Sequence, residues 1–196
     1  LSAAEKEYET AIAIFTKEGS KASVAQTQIS FAKLRIEQGD AAKAFDLATQ
    51  ALHEFETEKS GRREEGAHLV LARALSASGN VTAAQKEMHY ANELSRENQD
   101  RRQELDSQIT GAIVAAKNPI NATAAAKTLA KTVFEAKKLG FVAYEFDARL
   151  ALGEIEMQSR NPSASAHLKQ LQTDAAAKGF ALVAHAAASL DKEEIH

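Results

Sequence analysis

The sequence predicts an all-α protein, and its composition, the spacing of its turns and its apolar periodicity each indicate this fold class. Only two prolines and nine glycines occur among 196 residues, whereas alanine and other strong helix formers are abundant. Short β-branched or aromatic runs bounded by turns, the usual mark of strands, are missing. Hydrophobic residues make up 44% and charged residues 26%, which is ordinary for a protein with a buried core.

Turn-forming residues recur at regular intervals. One set of turns consists of paired turn formers, at Gly39-Asp40, Gly79-Asn80, Asn118-Pro119 and Asn161-Pro162. Taking Asp40 and the three asparagines as markers, these turns are 40, 38 and 43 residues apart. A second set lies midway between them, at Gly19, Gly61, Asn98, Gly140 and Gly179. The two alternating sets predict helical hairpins that repeat about every forty residues.

The residue types at these turns agree with that prediction. Glycine favours the left-handed conformation that ends a helix, and Asp or Asn next to it can accept a hydrogen bond from the first turn of the following helix. Pro119 and Pro162 would occupy the first helical position, where the missing N–H has no partner to lose. Between turns, apolar residues fall at helical spacing, as Ile29, Ala32 and Ile36 do.

The turns and the periodicity together predict about ten helices, namely a leading helix, four pairs and a closing helix. Their predicted ranges are 3–17, 20–38, 41–58, 63–78, 81–96, 100–117, 120–138, 142–159, 163–178 and 180–190. We expect a single domain over 1–196, divided into a second helix of a truncated repeat (1–18), four repeats (19–60, 61–97, 98–139 and 140–178) and a capping helix with its tail (179–196). Because the chain begins within this pattern, we expect it to be a fragment of a longer protein.

Each repeat also carries residues of matching size. Nine residues before each marker of the first set, a larger residue precedes a smaller one, at Phe31-Ala32, Leu71-Ala72, Ile109-Thr110 and Leu152-Gly153. Four residues after each marker stands another small residue, at Ala44, Ala84, Ala122 and Ser165. Small residues let a neighbouring helix approach closely. This layout resembles the tetratricopeptide repeat (TPR), although it has no tryptophan, no closing proline and a period longer than the usual 34 residues or so.

The resemblance implies a right-handed superhelix of antiparallel helix pairs, whose first helices line a groove that binds a protein or peptide. The groove positions that it implies are Gln26, Lys33, Glu37, Leu69, Arg73, Ser107, Val114, Asp147, Glu154 and Met157. Lys33 and Arg73 would make the groove basic at one end, and Asp147 and Glu154 would make it acidic at the other.

The period and the turns are also similar to the C-terminal TPR arrays of large bacterial winged-helix or Ser/Thr-kinase regulators. We therefore expect a protein–protein interaction module in a bacterial regulatory protein that acts in signal transduction. The alternative is a sensory, effector-binding or oligomerisation domain that controls an upstream kinase or DNA-binding domain. A groove that is empty or filled by neighbouring chains, as in a spacer, is the structural alternative to a binding site.

Little in the sequence indicates chemistry. The chain has no cysteine, which removes disulfides, thiolate nucleophiles and zinc–thiolate sites. None of the six histidines pairs with another at the spacing of a helical metal site. Ser30 and Lys33 match a Ser-x-x-Lys motif, but its companion motifs are missing. We expect no catalytic residue, cofactor or metal, and no enzymatic activity in this chain.

The net charge and the hydropathy of the chain limit the classes of partner that we expect. A net charge of −3 provides no field that would attract nucleic acid. The pairs Arg62-Arg63 and Arg101-Arg102 lie beside acidic residues, so we regard nucleic-acid binding as an unfavoured alternative. No apolar run has the length of a membrane span. We expect a cytoplasmic protein with a protein or peptide partner, and self-association remains open.

Overall fold

The computed structural model describes residues 2–96 and 100–193, and in these two ranges every regular element is helical. The elements are α1 (Ser2–Lys17), α2 (Lys21–Glu37), α3 (Ala41–Thr57), α4 (Gly61–Ala77), α5 (Val81–Ser95), α6 (Arg101–Ala116), a 3₁₀ turn (Pro119–Asn121), α7 (Ala122–Leu139), α8 (Val142–Gln158), α9 (Ala164–Ala177) and α10 (Ala181–Glu193). Every predicted helix boundary lies within about three residues of the observed one. The turn predicted at Asn98 and the end of the predicted tail lie outside the described residues.

The chain divides into two compact units, Leu1–Gln99 and Asp100–His196. Within each unit, every described helix packs against the next one along the chain, as short connections between helices require. This arrangement confirms the all-α class and the neighbour-to-neighbour packing of an α-solenoid. The organisation of 1–196 as a single domain stays a prediction.

Most of the tight turns share one conformation. A left-handed residue stands at the helix cap or directly after it, at Gly19, Gly39, Lys59, Gly79, Gly140, Arg160 and Gly179. At the second of these turns, the Gly39 N–H donates to the Ile36 carbonyl (3.0 Å) and the Asp40 N–H donates to the Arg35 carbonyl (2.9 Å). This pair of bonds is the Schellman motif. Since the following helix begins two residues after the left-handed residue at most of these turns, the motif returns about every twenty residues.

The second predicted turn set needs one correction. Gly61 was expected at a turn, but it is the first residue of α4, and Lys59 is the left-handed residue. The lengths of α3 and α4 determine where the turn between them lies, and its left-handed position coincides with a lysine.

We expect Lys59→Gly to raise the free energy of unfolding by about 0.5–1 kcal/mol, because a side chain strains a left-handed residue by more than the entropy glycine loses on folding. The φ angle of Lys59 is 54°, and that of Arg160 is also 54°, so Arg160→Gly should behave alike. Urea unfolding measures both. The matched control is Lys86→Gly in the exposed middle of α5, which should lose about 1 kcal/mol. A loss of that size at Lys59 would contradict the assignment.

The turn between α6 and α7 differs from the others. Asn118 is extended, and its side chain accepts a hydrogen bond from the Ile120 N–H (3.1 Å), while Pro119 opens the 3₁₀ turn. Asn118 therefore comes 17 residues after the start of α6, whereas Asp40, for example, comes 19 residues after the start of α2. Asn118, the marker of this repeat, thus comes two residues early. Residues that were aligned by their distance from Asn118 are therefore displaced by two positions.

The small residues of the first helices show this displacement. Counting eleven residues from the start of α2, α4, α6 and α8 reaches a buried small residue each time: Ala32, Ala72, Ala112 and Gly153. The predicted alignment of Thr110 with these residues is therefore wrong by two positions. Thr110 is buried as well, but at a different place in the repeat.

The second helices each bury a stripe of residues, and the positions of these residues are regular relative to the turn that follows the helix. Buried residues stand 15, 11, 8 and 4 positions before the left-handed residue, as Ala44, Ala48, Ala51 and Phe55 do in α3, Ala125, Leu129, Thr132 and Ala136 in α7, and Ala164, Leu168, Leu171 and Ala175 in α9. This spacing places all four residues on one helix face. The predicted small residues Ala122 and Ser165 are only partly buried, although Ala122 does pack against the buried cluster that includes Leu129. Ala125 and Ala164 hold the fully buried position of this stripe.

Candidate functional site

The first helices of successive pairs contact each other within each unit. In unit 1, α2 packs against α4; in unit 2, α6 packs against α8, and α8 packs against α10. Among the described residues, no comparable contact joins α3 to α5 or α7 to α9. The first helices are thus closer together than the second helices, so each unit is concave on its first-helix side. We call this side the inner face.

In unit 1 a polar stripe lies on α2, one of the two helices that form the inner face. Gln26, Lys33 and Glu37 are exposed and recur at intervals of seven and four residues, which places them on one side of the helix. Arg73, on α4, follows Lys33 after forty residues and is partly exposed. The structure therefore places these four predicted groove residues in two helices that contact each other.

In unit 2 the inner face lies between α6 and α8. The Lys117 ammonium, at the end of α6, is 3.7 Å from a carboxylate oxygen of Glu154 on α8. Gln158, one turn further along α8, donates a hydrogen bond to the same oxygen (3.2 Å). Glu154 was predicted as a groove residue, but Lys117 was not. The repeat period would have identified Lys117, because steps of forty residues from the predicted Glu37 lead through Ala77 to Lys117.

A shallow depression lies beside these polar groups. Its cavity volume is ≈ 10 Å³, about enough for one water molecule and far below the several hundred Å³ of a small-molecule site. The residues that line it are Ile113, Ala116, Lys117, Ala151, Glu154, Ile155 and Gln158. An apolar floor with a polar rim is typical of a protein interface.

Two predicted groove residues lie in the interior. Leu69 is 1% exposed and Val114 is 3% exposed, so neither side chain is accessible to a binding partner. Leu69 lies at the same repeat position as Ile29 and Ile109, forty residues away on either side, and both of these are buried. The groove positions were transferred from the family resemblance, whereas this apolar repetition marks a core position.

The remaining predicted residues are partly exposed. Ser107 and Asp147 lie on α6 and α8, and Met157 packs against a buried cluster that includes Phe146 and Leu171. Of these three residues, only Met157 has an apolar side chain.

The arginine pairs meet carboxylates. Arg101 pairs with Glu104 and, at 2.8 Å, with Glu135. The hydrogen bond to Glu104 raises the pKa of Arg101 above its ordinary value. Arg63 pairs with Glu58 at 3.0 Å. Arg63 and Arg101 are therefore neutralised by carboxylates, which makes them less available to bind the phosphate groups of a nucleic acid.

Two histidines are held by single carboxylates. His68 Nδ1 lies 2.7 Å from Glu87, and His167 Nδ1 lies 2.7 Å from Glu156. Each contact joins the two helices of one pair. Residues 2–96 and 100–193 contain no group of three His, Asp or Glu side chains placed to hold a metal ion.

No model of a known protein family matches this chain, and no curated protein matches it. None of the described helices combines the length and the apolar character needed to cross a bilayer.

Proposed function

We propose that this chain is a protein–protein interaction module of the TPR type, which binds a protein or peptide through the inner face. The observation that carries the proposal is the contact between first helices, α2 with α4 and α6 with α8, because it forms a continuous layer within each unit. The TPR assignment is supported by the helix pairs and by the small residues buried at their crossings. The spacing of forty residues is longer than the usual repeat of about 34.

The spacing of the polar side chains favours an extended ligand. From Gln26 to Glu37 the stripe on α2 runs about 16 Å along the helix axis, at a rise of 1.5 Å per residue. Catalysis would need groups that converge on one reacting atom, whereas these groups follow one another in a line. A peptide or a partner helix can contact such a line at several points.

Charge indicates what the partner offers to unit 1. Lys33 and Arg73 occupy equivalent positions in successive repeats, so an acidic segment of the partner would meet both. In unit 2, Glu154 lies beside Lys117, which suits a neutral polar segment better than a basic one. We infer that the positive charges on α2 and α4 give unit 1 its preference for an acidic segment.

We expect the double substitution Lys33→Glu and Arg73→Glu to weaken partner binding at least tenfold, or about 1.4 kcal/mol, because attraction becomes repulsion at two points. The measurement is quantitative capture of proteins from a lysate of the source organism, followed by titration of each captured protein. Lys43→Glu, on an exposed site of α3, is the matched control and should leave binding unchanged. Circular dichroism verifies folding. Equal affinity in all three proteins would contradict the inner-face assignment.

The module would serve a bacterial cytoplasmic regulatory protein, as the similarity to regulator arrays implies. The alternative roles are effector sensing and oligomerisation. The depression between α6 and α8 holds little more than a water molecule, which disfavours a small effector there. A ligand-dependent rise in the unfolding midpoint would support sensing, and a concentration-dependent mass in sedimentation would support oligomerisation.

A further inference from the structure

A second surface of unit 2 carries positive charge around an exposed aromatic ring. Lys127, Lys131, Phe134 and Lys138 lie on α7 at intervals of four, three and four residues, so they share one helix face. We call this face the lysine–phenylalanine stripe. All four side chains are exposed, and the opposite face of α7 is the buried stripe that includes Leu129 and packs in the core.

The lysines of the stripe are not neutralised by neighbours. In the part of unit 2 that the structure describes, the ion pairs involve other residues and leave out Lys127, Lys131 and Lys138. The one carboxylate of α7, Glu135, is 2.8 Å from the Arg101 guanidinium. Among the described residues, the stripe therefore presents three positive charges that form no ion pair, in a chain whose net charge is −3.

This arrangement is unfavourable for the free chain in two respects. Like charges four residues apart on a helix, as in Lys127 and Lys131, repel each other and destabilise the helix. Phe134 is 69% exposed, although the burial of an aromatic ring is favourable. A partner that supplies carboxylates and one apolar side chain would reverse both effects.

We propose that the lysine–phenylalanine stripe binds an acidic amphipathic segment of a partner protein, in which Asp or Glu residues flank an apolar residue that covers Phe134. The three lysines span about 16 Å along the axis of α7, which matches three turns of a partner helix. This surface is on a second helix, away from the first-helix layer, so the inference does not depend on the inner face.

Charge and size favour a peptide over the other anionic partners. Lipid recognition usually takes clusters of four to eight basic residues together with a broad apolar face, whereas the stripe offers three lysines and one ring in a single line. The negative net charge also opposes anionic membranes and nucleic acids at longer range. A short acidic segment meets the stripe without bringing those extended surfaces close to the chain.

The test uses synthetic helical peptides in which glutamates alternate with leucines at helical spacing, and fluorescence anisotropy against the full chain. We expect saturable binding that weakens as salt rises, and at least a tenfold loss for Lys127→Glu combined with Lys131→Glu and Lys138→Glu. Phe134→Ala should weaken binding while keeping its salt dependence. Lys86→Glu is the matched control, since Lys86 also lies beside an exposed aromatic residue, Tyr90, on α5, and it should change nothing.

Three outcomes would overturn the inference. The first is the absence of peptide binding to the wild-type chain, and the second is equal binding by the triple variant. The third is stripe-dependent binding to phosphatidylserine vesicles or to single-stranded DNA that exceeds binding to the peptide. Each protein is first examined by circular dichroism, because exposed substitutions should leave the helix content intact.

Discussion

Replacing Phe55 by alanine is expected to lower the free energy of unfolding by about 3–5 kcal/mol. Phe55 is the last residue of the buried stripe of α3 and is 1% exposed. Its ring belongs to a cluster that includes Ala51 and Val70, and the guanidinium of Arg63 lies 5.8 Å from its centre. Truncation leaves a cavity in a core built largely of alanines, and these short side chains have little freedom to fill it. Urea unfolding of the two proteins measures the difference.

The matched control is Phe45→Ala in the same helix. Phe45 is 38% exposed, so the same chemical change should cost less than about 1 kcal/mol, as surface substitutions do. Because Phe45 and Phe55 differ in helical phase and not in residue type, their contrast tests the register of the stripe. Similar losses at both positions would contradict that register.

Gly153→Val is expected to cost about 3 kcal/mol, near the upper end for overpacking. A Cβ atom at Gly153 would lie 2.5 Å from Leu168 Cδ2 and 3.1 Å from its Cγ. Leu168 is 1% exposed, so it cannot move aside without disturbing the core of unit 2. The branched valine side chain extends further into the same space. Thermal and urea unfolding provide the measurement.

Two comparisons make this prediction specific. Gly61→Ala is the control, since a Cβ there meets only Leu94 at an ordinary 3.9 Å, and it should be neutral or stabilise α4 through helix propensity. Combining Gly153→Val with Leu168→Ala should cost less than the sum of the two single losses, by about 0.5–3 kcal/mol of coupling. Strict additivity would mean that the two side chains do not compete for space.

The fold was accessible from the sequence because its signals are local. Left-handed glycines such as Gly39 and Gly140 and apolar residues at helical spacing indicate where helices end, and these signals placed the ten helices of residues 2–96 and 100–193. The left-handed conformation of Lys59 and Arg160 was not predicted, because glycine is the residue that identifies such a turn in a sequence. In the structure, the residue at this position of the turn is left-handed even where it is not glycine.

Register was harder to predict than the elements themselves. The 3₁₀ turn at Pro119–Asn121 displaces its marker, and a shift of two residues on a helix turns a side chain through about half a turn. That shift aligned Thr110 with Ala72 in place of Ala112. Positions counted from the end of the second helix were the more regular guide, as Ala125 and Ala164 show.

The inner face was only partly predictable. Gln26, Lys33 and Glu37 are exposed as a groove requires, because polar residues opposite an apolar stripe face solvent. Leu69 and Val114 are buried, since their place in the repeat is apolar in the neighbouring repeats as well. The contact of Lys117 with Glu154 depends on the distance between two helices, which no local pattern determines.

The most direct test of the proposed function is site-specific photo-cross-linking from the inner face. A photoreactive amino acid replaces Gln26 on α2 in one protein and Thr49 on the exposed side of α3 in another, and each is irradiated in a lysate of the source organism. We expect a discrete adduct with another protein from position 26 and none from position 49. Adducts of equal yield from both positions, or an adduct from position 49 alone, would contradict binding through the inner face.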